Sequence, residues 1–184
     1  DQNIKARIVG YLIMIYSIYA DKSSTLYEQY STKNTGQDEV IDVEKIISSS
    51  KTTTLFNSRA VVNFDIDWLG LYSSGMPTAS VSRSTYLNLY ATEQNNLAAS
   101  DILAVFAVSE SWEQGLGRIA NVPATTNNVS WDYRNEVDLW TVAGGTSHSA
   151  YYTLASLTTK TKDIRVDVSS HTAAWSSSVI TNNG

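Results

Sequence analysis

The chain has 184 residues, no cysteine and a formal net charge of −5. This length is enough for one domain with a sizeable core, and the lack of cysteine excludes a disulfide framework, a thiolate metal site and a cysteine nucleophile. Phosphate binding needs clustered Lys and Arg, which the sequence does not offer, so we expect no nucleic-acid partner. Charged residues make up only 17% of the chain, below the usual quarter. The surface must therefore be mainly Ser, Thr, Asn and Gln, which suits extracellular proteins and packed assemblies.

The most apolar run covers residues 8–16. It is too short to span a bilayer, which needs about 20 residues, so we expect no membrane insertion. Lys5 and Arg7 before the run and Ala20 after it leave a signal peptide as an alternative. The β-branched and tyrosine content favours a strand instead.

We assign residues 1–13 to an N-terminal extension of uncertain origin and residues 14–184 to a single β-sandwich domain. The chain ends on Asn182-Asn183-Gly184, which is a turn signal. Turns usually lead into another strand, so we expect the natural protein to continue beyond Gly184.

Short apolar and β-branched runs recur between turn signals, which is typical of an all-β sandwich or barrel. One run is half-buried by its pattern, with Val62, Phe64 and Ile66 on one face, and in another we expect Leu87 and Leu89 to point inward. The run 102–108 is predicted to be the most buried strand. The predicted strands cover residues 14–20, 26–30, 40–47, 59–66, 84–91, 102–108, 151–154 and 164–168.

Other local signals complete this pattern. Residues 34–36 predict a turn, and residues 48–54 predict a polar loop. A short helix is predicted near residues 169–175, capped by Ser169 or Ser170. The fold class that follows is all-β with little helix.

Tryptophans recur between residues 110 and 145, at Trp112, Trp131 and Trp140. No helical period explains their spacing. The pattern predicts strand, loop, strand, loop, with a tryptophan at each corner of the sandwich.

The order of several short motifs resembles the DNRLRE-type β-sandwich modules, a group related to carbohydrate-binding modules. The resemblance covers the chain from about Asp21 to its end. The motifs are Asp21 to Tyr27 followed by Asn34-Thr35-Gly36, Arg59 to Asp65, Leu87-Asn88-Leu89, Ser111-Trp112-Glu113-Gln114-Gly115, Val129 to Arg134, Trp140 to Gly144-Gly145, and Asp167-Val168-Ser169 with Trp175 and Asn182 to Gly184.

The resemblance implies a jelly-roll-like antiparallel β-sandwich. Within the group, the segment from residue 14 to residue 39 looks most like structural proteins of tailed bacteriophages, which sit in tails, necks, fibres or capsid decorations. It implies a non-enzymatic, oligomeric protein of the virion, which is extracellular. The expected partners are other virion proteins and copies of the chain itself, and no cofactor is expected.

The aromatic side chains have two interpretations. As core residues they would each bury a large area and find one partner for the indole N–H. As a platform they would stack on the apolar face of a sugar, since exposed aromatic side chains mark binding surfaces. The candidate glycan-binding residues are Trp112, Trp131, Tyr133 and Trp140, and Trp68 is a further side chain that could be exposed.

Three residues are assigned structural roles. Arg59 is expected to anchor a loop by bidentate hydrogen bonds. Arg134 is expected to pair with Asp132, Glu136 or Asp138, and Trp175 is expected to pack in the structure.

No metal site is predicted. Asp65 and Asp67 flank Ile66 and would share one face of a strand, but no further ligands follow at calcium-loop spacing. Two further candidates for a cation are Gln37-Asp38-Glu39 and the pair Asp163 and Asp167. His148 and His171 lie far apart in the sequence, and a zinc site needs three or four ligands.

The favoured function is a non-enzymatic structural protein of a bacteriophage particle that acts through protein–protein contacts. The alternative is a carbohydrate-binding module or an adhesin for host surface polysaccharide. A carbohydrate-binding module should present two or more coplanar aromatic side chains on one exposed face. Catalysis on polysaccharide is a third and weaker hypothesis, because the sequence shows no carboxylate pair or His–Tyr pair at a diagnostic spacing.

Overall fold

The computed structural model describes residues 15–47, 53–67, 71, 84–92, 101–157 and 163–184. Its regular structure is mostly antiparallel β-strand, which confirms the all-β prediction. The jelly-roll-like sandwich arrangement stays a prediction. The strands are β1 (Lys22–Tyr27), β2 (Lys45–Ile47), β3 (Thr54–Asn63), β4 (Tyr86–Tyr90), β5 (Ile102–Val108), β6 (Ser147–Ser156) and β7 (Asp163–Asp167), with a 3-10 helix at Glu28–Tyr30 and an α-helix, α1, at Ser169–Ser176.

The described strands pair in three antiparallel sheets, with the orders β1-β3-β2, β4-β7 and β5-β6. In the first sheet Ser24 pairs with Val61 and Leu26 pairs with Arg59. In the third sheet Ala104 pairs with Leu154 and Phe106 pairs with Tyr152. These registers decide which side chains share a face, because successive residues of a strand point to opposite sides.

The main core lies on one face of the first sheet. Leu26 and Val61 are buried there with residues from β5 and the segment after it. Val62, Phe64 and Ile66 are half-buried, whereas the fully buried positions are Val61 and Asn63, and the strand ends at Asn63 rather than at Ile66. The other members of the core cluster are Val108, Trp112, Val129, Trp131 and Trp140.

The strand β4 follows its predicted alternation. Leu87 and Leu89 are half-buried, whereas Tyr86, Asn88 and Tyr90 are exposed. The bounds of β5 are also as predicted, but its predicted burial is wrong on one face. Ile102, Ala104 and Phe106 are exposed, since the described part of the chain places no layer over that face.

The tryptophan-rich segment is not strand and loop in alternation. Residues 109–146 contain turns and bends, with a single bridge between Tyr133 and Leu139. The backbone is held by local pairs such as Ser130 N to Tyr133 O and Arg134 N to Asp138 O, at 2.8 and 2.9 Å. The prediction of strands here is therefore wrong, although the tryptophans do anchor the segment.

Several other predicted bounds differ from the structure. Residues 15–20 form no strand, and the predicted strand at 26–30 is instead the end of β1 followed by the 3-10 helix. Of the predicted strand 40–47, only Lys45–Ile47 is strand. The extension 1–13, Met14, residues 48–52 of the predicted loop and Trp68 lie outside the described residues.

The helix α1 lies where the sequence predicts a helix, but its cap differs. The residue before the helix is Val168, and neither Ser169 nor Ser170 caps it. Instead, the carboxylate of Asp167 accepts a hydrogen bond from the backbone N–H of Ser169 at 2.9 Å. The Ser169 hydroxyl accepts one from the backbone of Thr85 at 2.9 Å, so it links the helix to the residue before β4.

Candidate interaction surfaces

Three of the predicted glycan-binding residues are core residues. Trp112, Trp131 and Trp140 are only 3%, 8% and 5% exposed. Their rings contact protein and leave no face on which a sugar could stack, so the structure corrects their assignment to a sugar platform. Tyr133 is half-buried in the same segment.

The indole N–H groups support the packing interpretation. Trp112 donates to the carbonyl of Asn183 at 2.8 Å, and Trp140 donates to the carbonyl of Ser130 at 3.0 Å. The ammonium of Lys22 lies 5.2 Å from the ring centroid of Trp112, within cation–π range. These tryptophans therefore tie distant segments to one another.

The Asn-Thr-Gly motif at residues 34–36 forms a buried hydrogen-bond network, which we call the Asn34 node. The side chain of Asn34 is fully buried. Its amide nitrogen donates to the carbonyls of Gln114 and Val129 at 2.7 Å each, and its amide oxygen accepts from the backbone N–H of Gly117 at 2.7 Å. Thr35 extends this node, because its hydroxyl donates to the carbonyl of Thr25 at 2.6 Å.

Glycines let the two segments approach at this node. A Cβ on Gly115 would lie 2.6 Å from the Asn34 side chain, and a Cβ on Gly36 would lie 2.0 Å from the carbonyl oxygen of Gln114. Gly115 also has a φ of 76°, which favours glycine. Two of the sequence motifs that carry the family resemblance thus meet in one buried hydrogen-bond network.

Arg59 contacts a loop, and Arg134 forms an ion pair. Arg59 donates one hydrogen bond to the carbonyl of Gly144 at 3.1 Å, and its guanidinium lies 5.1 Å from the ring centroid of Trp131. A ring contact therefore replaces the second bond of the expected bidentate pair. Arg134 pairs with Asp138 at 2.7 Å and donates to the carbonyl of Ser111 at 3.2 Å.

Glu110 is a structural residue that the sequence analysis missed. Its carboxylate accepts hydrogen bonds from the backbone N–H of Thr141 at 3.2 Å, from the Thr146 hydroxyl at 2.9 Å, and from the Thr141 hydroxyl. Partial burial raises the pKa of Glu110, but these hydrogen bonds outweigh it and hold the pKa below its usual value. No sequence signal singled out Glu110, because its partners lie more than thirty positions away.

The predicted acidic candidates do not converge on one point. Asp65 and Asp67 are exposed beyond the end of β3, and Asp163 and Asp167 are exposed on β7. The carboxylate of Asp38 accepts from the backbone of Ile119 at 3.1 Å. Glu39 lies 3.6 Å from Arg118 in an exposed pair, and Gln37 is exposed. Among the described residues, no three His, Asp or Glu side chains could hold a metal ion together.

The histidines are also separate. His148 lies edge-on to Tyr151, with 6.2 Å between the ring centroids. His171 on α1 is only 2% exposed and lies edge-on to Trp175. Burial lowers the pKa of His171, and the neighbouring backbone of Tyr151 and Val105 opposes part of that shift.

Trp175 is half-buried and lines an open groove of about 450 Å³ with residues 63–66 and the segment after α1. Its indole nitrogen and the amide oxygen of Asn182 have no hydrogen-bond partner among the described residues. Both atoms are covered from solvent, so a molecule in the groove would not reach them.

The outer face of the β5–β6 sheet is an exposed apolar surface. It consists of Ile102, Ala104 and Phe106 on β5 and Tyr152, Leu154 and Ser156 on β6, and we call these six residues the β5–β6 outer face. The four large side chains are between 44% and 59% exposed. Phe106 and Tyr152 stack on each other, with 5.7 Å between the ring centroids.

The outer face of the β4–β7 sheet is polar and aromatic. Tyr86, Asn88 and Tyr90 on β4 lie beside Asp163, Arg165 and Asp167 on β7, and all six are exposed. The guanidinium carbon of Arg165 lies 3.7 Å from the ring centroid of Tyr86 and covers one side of that ring. Tyr90 is 77% exposed, so its ring is the more accessible of the two.

No family model, no curated protein and no solved structure matches the chain. Within the described residues, no helix is long and apolar enough to cross a membrane.

Proposed function

We propose that this chain is a non-enzymatic structural module that works through protein–protein contacts on its β5–β6 outer face. The single observation that carries the proposal is the exposure of Ile102, Phe106, Tyr152 and Leu154 side by side on one sheet. None of the six residues of this face is charged. Depletion of charge with enrichment of aromatic side chains is typical of the centre of a protein interface.

The size of the face supports a contact role. Four side chains of about 200 Å² each, roughly half exposed, present on the order of 400 Å² of mostly apolar surface. A patch of this size is about the largest that a soluble monomer shows, and such patches often mark interaction sites. Covering it would gain about 25 cal/mol for each Å² removed from water.

The setting of this module in a bacteriophage particle rests on the ordered sequence motifs. Asn34, Gly36 and Gly115 from those motifs hold the interior together, and Trp112 and Trp131 fill the core. These motif residues therefore act as a scaffold, and the surface is left to make the contacts. A scaffold that presents an apolar sheet face suits a protein packed against its neighbours.

The proposal is tested in the organism or particle that encodes the chain. The double variant Phe106→Ser with Leu154→Ser replaces the wild type, and lysates are separated by sucrose-gradient sedimentation. We expect the wild type in the fast-sedimenting particulate fraction and the double variant in the slow fraction. The matched control, Tyr90→Ser on the other sheet, should sediment like the wild type. A wild-type chain found only in the slow fraction would overturn the proposal.

The alternative function, binding of a polysaccharide, is favoured by the β4–β7 outer face. Tyr86 and Tyr90 lie on one side of the strand with Asn88 between them, about 13 Å apart at the rise of a strand. Their spacing would suit an extended chain of sugars, with Asn88 supplying hydrogen bonds. The cover that Arg165 gives to Tyr86 leaves Tyr90 as the principal stacking residue.

Affinity electrophoresis through gels that contain neutral or acidic polysaccharides tests this alternative. Retardation of the wild type that is lost in Tyr90→Ala and kept in Tyr152→Ala would support sugar binding on the β4–β7 outer face. Equal mobility of wild type and Tyr90→Ala on every polymer would count against it.

A further inference from the structure

The β5–β6 outer face has a self-complementary arrangement of large and small side chains. This inference rests on the proposed function, because it names the partner that covers the same face. We propose that the occupant is a second copy of this chain. The two copies would pack face to face across a two-fold axis that runs parallel to the strands, midway between β5 and β6.

The observed register fixes what such an axis brings together. It places β5 of one copy over β6 of the other at the same height along the strands. Because Ala104 pairs with Leu154 within one chain, Ala104 would also face Leu154 of the second copy. In the same way Ile102 would face Ser156, and Phe106 would face Tyr152.

Two of these three facing pairs join a large side chain to a small one. Leu154 would project into the space left by Ala104, and Ile102 into the space left by Ser156. The third pair, Phe106 with Tyr152, joins aromatic rings that already stack within each chain. Interdigitation of this kind is what two sheets need when they pack about 10 Å apart.

The charge distribution favours this face over the other one for a second copy. The β5–β6 outer face contains no charged residue, so a copy would cover it without desolvating an unpaired ion. The equivalent axis on the β4–β7 outer face would place Asp163 and Arg165 over Tyr90 and Asn88. Neither charged group would gain an opposite charge there, and both would lose water.

The area of the face sets the expected strength. An interface of standard size buries about 800 Å² on each partner, roughly twice what the four large side chains supply. The remainder must come from Ala104, Ser156 and the exposed N-terminal part of β6. We therefore expect a dimer in the micromolar range, which high local concentration would strengthen.

Sedimentation velocity over a range of concentrations tests the facing pair Ala104 and Leu154. Ala104→Leu enlarges the apolar face but sets Leu against Leu, so we expect it to weaken the dimer at least tenfold. Adding Leu154→Ala exchanges the large and small positions and should restore the dimer to within about threefold of wild type. Tyr90→Leu on the other sheet is the control and should dimerise like the wild type.

Each other result has a defined meaning. Tighter or unchanged association of Ala104→Leu would show that the apolar face associates nonspecifically, without these facing pairs. That result would overturn the inference. If Ala104→Leu does not fold, as judged by circular dichroism, the pair Ile102→Ser and Ser156→Ile applies the same exchange at the next position.

A wild-type chain that stays monomeric at all concentrations would also overturn the inference. If such a monomeric chain is still found in particulate assemblies, the face is covered by a different protein. That outcome rejects the second copy and leaves the proposed function standing.

Discussion

The amide of Asn34 reaches the backbone of Gln114, eighty positions along the chain, at 2.7 Å. The same nitrogen donates to the carbonyl of Val129, and the amide oxygen accepts from Gly117. The buried amide thus supplies hydrogen bonds to backbone groups that would otherwise pair with a neighbouring strand. The irregular segment 109–146 can therefore pack tightly without a ladder of its own.

We expect Asn34→Ala to be among the most destabilising changes to a polar residue. It would leave two carbonyls and the backbone N–H groups of Gly36 and Gly117 without this partner, at a cost of about 2–4 kcal/mol. Urea unfolding followed by tryptophan fluorescence measures the loss. The exposed Asn127 is the control, and Asn127→Ala should change stability by no more than about 0.5 kcal/mol. Equal effects of the two variants would contradict the role of Asn34.

A side chain at Gly115 or Gly145 would cause backbone strain, but only at Gly115 would it also clash with a neighbouring residue. Both have positive φ, of 76° and 94°. A Cβ on Gly115 would also lie 2.6 Å from the Asn34 side chain, whereas a Cβ on Gly145 would lie 3.6 Å from its nearest neighbour. We expect Gly145→Ala to cost about 1 kcal/mol from backbone strain alone, and Gly115→Ala to cost about 2 kcal/mol or more. Thermal unfolding of both variants measures the loss of stability. A larger loss for Gly145→Ala than for Gly115→Ala would refute the close approach at Asn34.

How far the sequence predicts this fold depends on how strongly each strand alternates. In β4, Leu87 and Leu89 are separated by Asn88, so one face is plainly apolar and its orientation is predicted correctly. In β3, Ala60, Val61 and Val62 are all apolar. Which of them is buried depends on the face of β1 that carries Leu26, and that is tertiary information.

The candidate surfaces show the same limit in another form. The apolar run of β5 predicts a strand, and its bounds are correct. Composition alone, however, does not distinguish a strand that is buried on both faces from one that leaves an apolar face exposed. The sequence also predicts that the tryptophans act as anchors. Their burial depends on partners such as Lys22 and Asn183, more than seventy positions away. No local pattern carries that information.

Glu110 links stability to acidic pH through the loop that contains Thr141 and Thr146. Its folded-state pKa is lowered, so the stabilisation is present above the unfolded pKa of about 4.3 and is lost as the pH falls through the folded value. Glu110→Gln should therefore cost about 1 kcal/mol at pH 7 and less at pH 3. Urea unfolding of both proteins at the two pH values measures the difference.

The exposed Glu136 provides the matched control. Glu136→Gln should leave stability within about 0.5 kcal/mol of wild type at both pH values. A cost of Glu110→Gln that stays constant from pH 7 to pH 3 would show that its hydrogen bonds do not depend on the charge.

His171 makes the stability of the fold depend on pH in a higher range than Glu110 does. Burial lowers its folded-state pKa below the ordinary value of about 6.5, so the unfolded chain binds a proton first as the pH falls. Its contribution is therefore fully present above pH 6.5 and is lost on acidification, by at most about 1.4 kcal/mol per pH unit until the folded value is reached. We expect the wild type to lose more stability than His171→Leu between pH 7.5 and pH 5.5. Parallel losses in urea unfolding would show that folding does not lower the pKa of His171.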